Sequence, residues 1–173
     1  RLMPKDKPKI ENQIRLCIFD LDQTLAITND LENYRGKSNT GKKEAFYKQN
    51  LASRINSNNN RTLIRESTLT KIKNSMTGIK LAVFTRAPRE YTLTVLEKLY
   101  PSLTWDKIIS FEDVSKTKPN GEGIVKIMKY CNIVDPRAVA LIGDDAADIQ
   151  AAYNAGCHAF LYRGGWPQPW INI

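Results

Sequence analysis

The sequence has few of the residues that build disulfides and zinc sites. Its 173 residues include one His and three Cys. Because Cys17, Cys131 and Cys157 fall on predicted strands or apolar helix faces and are odd in number, we expect buried free thiols in a reducing cytoplasm. No Cys spacing matches a zinc site, and the neighbours of His158 offer no ligand cluster, so we expect a structural histidine.

Long hydrophobic runs are also missing. The chain has no run of about 18 apolar residues, so we expect no membrane span and no membrane partner. The first ten residues are charged, contain two prolines and do not begin with Met. This start is not typical of a signal peptide, and we expect the chain to be part of a larger multidomain protein.

Two carboxylates follow the first predicted strand. The run 14–20 is short and apolar, which is typical of a buried parallel strand, and Asp20 and Asp22 lie at its carboxyl end. Such a pair is costly unless a cation neutralises it, and Mg²⁺ is the hard cation that prefers oxygen ligands. A carboxylate beside Mg²⁺ can attack phosphorus and form an aspartyl-phosphate. The alternative is an Asp-rich turn with local capping.

Two further strand ends carry groups suited to phosphate. The strand 79–85 ends at Thr85, whose hydroxyl and backbone N–H lie at a helix entrance where a phosphate oxygen is favoured. Lys118 precedes another helix, where it can neutralise a phosphoryl group or keep a carboxylate charged. Taken singly, each has a plainer interpretation, which is a helix cap for Thr85 and a solvated side chain for Lys118.

A last strand ends in an acidic turn. The apolar run 138–143 leads into Asp144, Asp145 and Asp148, three carboxylates within five residues. N-capping alone does not need so many, so the turn predicts a second group of metal ligands. Asp145 and Asp148 can also simply favour the helix dipole.

These segments alternate with helices along the chain. Hydrophobic spacing predicts helices near 66–77, 88–99, 121–131 and 146–155 and strands at 14–20, 79–85, 107–111, 138–143 and 157–161. Such alternation predicts an α/β fold, a parallel sheet with helices on both faces. Ligands of such sheets bind outside the carboxyl ends of the strands, where all four segments fall.

Taken together, the four segments resemble the four motifs of the haloacid dehalogenase (HAD) superfamily of phosphohydrolases, and the fourth is similar to phosphatases of the phosphoglycolate-phosphatase type. The matching residues are Asp20-Leu21-Asp22-Gln23-Thr24-Leu25, Thr85, Lys118-Pro119 and Gly143-Asp144-Asp145-Ala146-Ala147-Asp148. The resemblance covers 12–28 and 62–165 and implies a three-layer α/β/α Rossmann-like sheet, with the first strand central and the fourth beside it. Gln23 stands where the family often has Gly, and Arg86 where Asn is frequent.

The resemblance also implies a phosphatase mechanism. Asp20 is the expected nucleophile, and Asp22 the acid that protonates the leaving group and then the base that activates water. Thr85, Arg86 and Lys118 are expected to bind the phosphoryl group. The expected Mg²⁺ ligands are Asp20, the Asp22 carbonyl and Asp144, with Asp145 or Asp148 completing the site.

The insertion between the first two motifs is short and basic. We place a flap or small cap at 28–61, with a helix near 43–55 that has Phe46, Tyr47, Leu51 and Ile55 on one side. Residues 30–80 carry eleven Lys and Arg against four Asp and Glu. If Arg35, Lys37, Lys42 and Lys43 line the entrance, they would attract polyanions, including nucleic acid; the alternative is a solvated basic surface.

These expectations define one domain and two candidate functions. A HAD-like catalytic domain is placed at 12–165, between a tail or linker at 1–11 and a C-terminal tail at 166–173. The favoured function is a Mg²⁺-dependent phosphomonoesterase acting on a phosphometabolite, a nucleotide or a phosphorylated nucleic-acid end. The alternative is a HAD-fold binding or regulatory module with little or no phosphatase activity.

Overall fold

The structure is a computed structural model that describes residues 14–74 and 78–162. The two predicted tails, 1–11 and 166–173, and the last turn of the helix predicted at 66–77 lie outside the described residues.

A five-stranded parallel sheet forms the centre of the domain. Its strands are β1 (Leu16–Phe19), β2 (Lys80–Phe84), β3 (Lys107–Ile109), β4 (Val139–Gly143) and β5 (His158–Leu161). Their order is β3-β2-β1-β4-β5, and every neighbouring pair is parallel. The first strand is therefore central with β4 beside it, which confirms the order that the family resemblance implied.

Within residues 14–74 and 78–162, five α-helices connect the strands. They are α1 (Ala45–Asn56), α2 (Glu66–Asn74), α3 (Arg89–Leu99), α4 (Glu122–Tyr130) and α5 (Ala146–Ala155). Short 3-10 helices occur at Asn29–Tyr34, Lys37–Asn39, Phe111–Asp113 and Pro136–Ala138. The helices predicted at 88–99, 121–131 and 146–155 are confirmed to within one residue at either end.

The helices form two layers because the strand side chains alternate between the faces of the sheet. Cys17 and Phe19 point to one face, where they pack with buried residues of α1, α2 and α3. Leu16 and Ile18 point to the other, where they pack with α4 and α5. The predicted three-layer α/β/α arrangement is thus confirmed. All three cysteines are buried and free, as expected.

Two local predictions were wrong. The strand predicted at 107–111 ends at Ile109, because the Ser110 N–H and hydroxyl both donate to Asp113 Oδ2 at 2.8 Å and turn the chain into a 3-10 helix. Phe46 was expected on the same side of α1 as Tyr47, Leu51 and Ile55, but it is 76% exposed, whereas those three residues are buried.

The insertion at 28–61 packs against the side of the domain. Helix α1 lies along α3, with an ion pair of 3.2 Å between Lys48 and Glu90. Arg61, which is almost fully buried, fastens the end of the insertion to its start through two hydrogen bonds to Asp30, of 2.6 and 2.8 Å. Its guanidinium also donates to three backbone carbonyls, those of Ile27, Arg54 and Ile55.

Candidate active site

The sheet brings the predicted site residues together at its carboxyl edge. Phe19 lies opposite Val83 on β2 and opposite Ile142 on β4. The residues that follow these three strands therefore meet at one place, and Asp20 continues the ladder by donating its N–H to the Ile142 carbonyl at 2.9 Å. Asp20, Thr85 and Asp144 all line one cavity of about 270 Å³.

Lys118 lies at the bottom of this cavity. It is only 4% exposed, and its Nζ donates to Asp20 Oδ1 at 2.8 Å, to Asp148 Oδ1 at 2.5 Å and to the Phe84 carbonyl at 2.9 Å. Burial acts to lower the pKa of Lys118, but the carboxylates of Asp20 and Asp148 outweigh it and raise that pKa above its ordinary value. Lys118 is therefore a fixed ammonium group.

Three carboxylates form a tight cluster beside Lys118. Oxygen atoms of Asp20, Asp144 and Asp148 lie within 4.8 Å of one another. Burial, together with a hydrogen bond and the charge from Asp20, raises the pKa of Asp144 to about 7. Burial also raises the pKa of Asp148, although the Lys118 ammonium opposes it. Crowded, buried carboxylates are unfavourable as anions, and a divalent cation would relieve them.

Gly143 allows Asp148 to enter this cluster. A Cβ atom at position 143 would lie 2.3 Å from Asp148 Cγ, far inside contact distance. The end of β4 therefore needs Gly so that the first turn of α5 can place its carboxylate over the strand. Asp148 Oδ2 also accepts the N–H of Asp145 at 3.2 Å, which fixes the rotation of the side chain.

Asp145 lies outside the carboxylate cluster. Its side chain caps α5 by accepting the Ala147 N–H, and its Oδ2 pairs with Arg86 at 3.0 Å. Asp145 and Arg86 are each about half exposed, at 49% and 50% of the side chain. Of the two residues left open in sequence, Asp148 therefore lies with the other metal-ligand candidates, and Asp145 pairs with Arg86 in the cavity lining.

Asp22 is held apart from the other carboxylates. Its Oδ1 accepts hydrogen bonds of 2.6 Å from the hydroxyls of both Thr28 and Tyr91, and its Oδ2 lies 3.7 Å from Arg35 Nε. Burial raises the pKa of Asp22, while Arg35 and the two hydroxyls act in the opposite direction. A carboxyl group with a raised pKa and a fixed orientation is suited to proton transfer.

Thr85 presents its hydroxyl to the cavity. Its Oγ1 accepts the Ala87 N–H at 3.1 Å, so its hydrogen is left to donate. The Thr85 N–H donates to the Ile109 carbonyl at 3.0 Å as part of the sheet. The expectation that this N–H faces a phosphate oxygen was therefore wrong.

Sequence reasoning missed several contributors to the site. Tyr91 and Thr28 contact Asp22, and Thr24 Oγ1 donates to Asp144 Oδ1 at 3.3 Å. No signal singled out Tyr91, because its position in the first turn of α3 gives it an ordinary core pattern. Gln23 lines the cavity with a φ of 62°, a left-handed conformation that Gly adopts more readily than other residues.

The predicted basic entrance is only partly present. Arg35 lines the cavity that contains Asp20, and Lys37 lines a neighbouring cavity. Lys42 and Lys43 lie outside the lining of both. No helix within 14–74 or 78–162 combines the length and apolar character needed to cross a bilayer.

Comparison with known proteins agrees with this geometry. Residues 31–162 match the family model described as haloacid dehalogenase-like hydrolase. The match covers well over half of the 173 residues and begins after Asp20 and Asp22. The chain therefore belongs to the haloacid dehalogenase-like hydrolase family.

One relative and two solved structures are similar to this chain over different lengths. A phosphoglycolate phosphatase of Aliivibrio fischeri is 28% identical over 89 residues, which are 51% of this chain and 39% of that protein. The chain thus matches well under half of the length of this relative.

The two solved structures share the fold. A HAD-superfamily hydrolase from Ehrlichia chaffeensis is 19% identical, with a TM-score of 0.61 over 88% of this chain and 89% of that one. CbbY from Rhodobacter sphaeroides in complex with phosphate is 16% identical, with a TM-score of 0.64 over 92% of both chains.

Proposed function

We propose that this protein is a Mg²⁺-dependent phosphomonoesterase that works through an aspartyl-phosphate at Asp20. The observation that carries the proposal is the arrangement around Asp20, where a carboxylate cluster and the buried Lys118 lie on one side and Asp22 is held separately by two hydroxyls. Family membership supports a hydrolase, and the geometry supplies the residues for each step.

Asp20 is the proposed nucleophile. The Lys118 ammonium donates to Asp20 Oδ1 at 2.8 Å, which fixes the orientation of this carboxylate. One oxygen of Asp20 attacks phosphorus, and the bond between phosphorus and the ester oxygen breaks. In the second step a water oxygen attacks the same phosphorus, and the products are inorganic phosphate and the free Asp20 carboxylate.

Asp22 is the proposed acid and base. Its raised pKa favours the protonated form that gives a proton to the leaving oxygen. The resulting carboxylate can then take a proton from the attacking water. Thr28 and Tyr91 hold one oxygen of Asp22, so they position this proton transfer without taking part in it.

The phosphoryl oxygens have three donors nearby. The Thr85 hydroxyl, the Lys118 ammonium and the Arg86 guanidinium all line the cavity with Asp20. They would stabilise the negative charge on the transferring group. Arg86 is the most adaptable of the three, because its partner Asp145 is half exposed.

The residues present fit a bound Mg²⁺. Besides the proposed acid Asp22, the cavity lining holds four carboxyl groups, Asp20, Asp144, Asp145 and Asp148, against three cations, Arg35, Arg86 and Lys118. An anionic phosphate ester would be repelled by this excess unless a divalent cation were bound. Asp20, Asp144 and Asp148 would hold it, with the Asp22 carbonyl that the family resemblance adds, and it would supply positive charge to the phosphoryl oxygens.

The proposed substrate is a phosphorylated small molecule or nucleotide. The similar phosphoglycolate phosphatase supports a small phosphate ester, although this chain matches only 39% of its length. Binding of nucleic acid stays a prediction from the charge of the insertion. The alternative function, a binding module without turnover, is disfavoured because the buried ion pair of Lys118 with Asp20 is complete.

The test is release of phosphate from 4-nitrophenyl phosphate and a panel of metabolite and nucleotide monophosphates, with Mg²⁺ and with EDTA. We expect Mg²⁺-dependent release that is lost in Asp20→Asn. Glu97→Gln, which removes an exposed charge near the end of helix α3, is the matched control and should retain activity. Turnover by folded Asp20→Asn, or no turnover by the parent on any ester, would reject the proposal.

A further inference from the structure

A second cavity opens beside the one that contains Asp20. It measures about 200 Å³ and shares Arg35 and Arg86 with its neighbour. We call it the side cavity. Its other lining residues are Lys37, Thr40, Pro88, Phe111 and Thr117. A group attached to a phosphate held near Asp20 and Thr85 would therefore enter the side cavity between the two arginines.

Two parts of the chain form the walls of the side cavity, and Glu112 joins them. The insertion supplies Arg35, Lys37 and Thr40. The segments after β2 and β3 supply the other lining residues, which are Arg86, Pro88, Phe111 and Thr117. Glu112 Oε2 accepts the Gly41 N–H at 3.1 Å, and Glu112 Oε1 accepts the Arg89 N–H at 2.8 Å. Because one carboxylate bridges both walls, the side cavity is largely formed before a ligand arrives.

The lining of the side cavity combines an apolar surface with two unused polar groups. Pro88 and Phe111 provide the apolar surface, on which a flat ring can pack. Thr117 Oγ1 is buried and has no hydrogen-bond partner among the residues the structure describes. Lys37 makes no ion pair within those residues, whereas Arg35 and Arg86 are paired with Asp22 and Asp145.

We propose that the side cavity binds the leaving group of the substrate, and that this group is a single ring carrying an anionic substituent. The proposal rests on the phosphomonoesterase function proposed above and adds the substrate class. The volume of the side cavity is smaller than the ~300 Å³ at which binding sites for drug-sized ligands begin. A single ring therefore fits, and an extended chain does not. Phe111 would contact the face of the ring, and Lys37 would pair with the anion.

Three synthetic esters test the side cavity without changing the chemistry of the leaving oxygen. Ethyl, benzyl and 4-carboxybenzyl phosphate are all esters of primary alcohols, so differences in kcat/KM report on contacts to the leaving group. We expect kcat/KM for benzyl phosphate to exceed that for ethyl phosphate by roughly thirtyfold, because binding transfers the apolar surface of the ring from water into the side cavity. The kcat/KM for 4-carboxybenzyl phosphate should be about fivefold higher than for benzyl phosphate, because its carboxylate pairs with Lys37.

Two variants assign these preferences to residues. Phe111→Ala should lower the ratio of benzyl to ethyl phosphate by about fivefold, since it removes the ring contact. Lys37→Gln should remove the preference for 4-carboxybenzyl over benzyl phosphate. Lys43→Gln is the matched control, because it removes a charge from the same insertion outside the side cavity, and it should leave both ratios unchanged.

A binding measurement separates failure of this proposal from failure of the proposed function. Benzylphosphonate and ethylphosphonate, which cannot be hydrolysed at phosphorus, are titrated by calorimetry with Mg²⁺. Tighter binding of benzylphosphonate, weakened in Phe111→Ala, supports the side cavity even if no ester is turned over, and then only the phosphatase function fails. Equal affinities for benzylphosphonate and ethylphosphonate would overturn the proposal that the side cavity binds the leaving group. Ratios of kcat/KM between the esters that neither variant alters would overturn it too. Phosphate release in either case would leave the proposed phosphatase function intact.

Discussion

The floor and the rim of the active site carry opposite charges and differ in how that charge is used. The floor is the cluster of Asp20, Asp144 and Asp148 with Lys118, all of it at strand ends or helix starts. The rim is the basic insertion at 28–61. The floor has more carboxylates than cations, whereas most cations of the rim form ion pairs with carboxylates of the protein.

The rim shows that net charge in sequence is not charge available to a ligand. Arg61 is buried against Asp30, and Arg54 shares that carboxylate at 3.2 Å. Lys48 pairs with Glu90, and Arg35 pairs with Asp22. Four of the basic residues that suggested a polyanion site are thus paired with carboxylates of the protein, which leaves the smaller side cavity as the proposed use of the rim.

The largest effect is expected from removing the cation of the floor. Lys118→Met leaves Asp20 and Asp148 buried without their ammonium partner, so the free energy of unfolding should fall by about 3–5 kcal/mol. Phosphate release should be lost as well. Urea unfolding and a phosphatase assay check both results.

The control for that variant is Lys126→Met on α4. Lys126 makes an exposed ion pair with Glu122, and exposed pairs of this kind contribute little to stability. If Lys118→Met and Lys126→Met are destabilised equally, the buried ion pairs do not hold the floor together.

A smaller effect should distinguish the two acidic residues at the start of α5. Asp148→Asn removes a carboxylate from the cluster, and we expect the Mg²⁺ concentration for half-maximal activity to rise by roughly 10- to 100-fold. Asp145→Asn keeps a good N-cap and loses only a half-exposed ion pair with Arg86, so its effect should be under about fivefold. A larger Mg²⁺ shift in Asp145→Asn would place Asp145 at the metal instead.

The smallest effect concerns the rim and depends on pH. Hydrogen bonds from Arg61 lower the pKa of Asp30 to about 2, below its ordinary value. A lowered folded-state pKa stabilises the protein above the unfolded-state pKa of about 4, and this contribution disappears as the pH falls toward 2. Asp30→Asn should therefore be less stable than the parent near pH 5, and the difference should shrink on acidification.

Thermal unfolding of both proteins between about pH 5 and pH 2.5 checks this expectation. Glu44→Gln is the comparison, since Glu44 is an exposed acid of the same insertion that makes no ion pair within the described ranges. A stability difference for Asp30→Asn that is constant with pH would mean that the Arg61 pair does not depend on the charge of Asp30.

The sequence predicts the floor better than the rim, for a physical reason. Parallel strands place their carboxyl ends at one edge, so periodicity predicted that Asp20, Thr85 and Asp144 lie at that edge. The strand order implied by the family resemblance then placed Asp20 beside Asp144. Whether Asp145 or Asp148 completes the carboxylate cluster depends on the direction in which α5 leaves β4. Because Gly143 has no Cβ atom, the Asp148 side chain can lie over the end of β4. The spacing of residues in the sequence does not predict how α5 is oriented relative to β4.

The rim depends on contacts between residues that are distant in sequence. Tyr91 donates a hydrogen bond to Asp22, which is 69 residues away in the sequence, and Gly41 donates one to Glu112, which is 71 residues away. Helix α1 was predictable from its apolar spacing, but its packing on α3 and the exposure of Phe46 were not. The side cavity exists only because these long-range contacts fix the insertion against the core.

The most direct test of the account is to trap the aspartyl-phosphate. Asp22→Asn cannot activate water, so after mixing with 4-nitrophenyl phosphate and Mg²⁺ it should accumulate one phosphoryl group on Asp20, seen by mass spectrometry of acid-quenched, digested protein. The double variant Asp20→Asn with Asp22→Asn should show none. A phosphoryl group on another residue, or phosphate release by Asp22→Asn at the parent rate without a covalent adduct, would contradict the proposed mechanism.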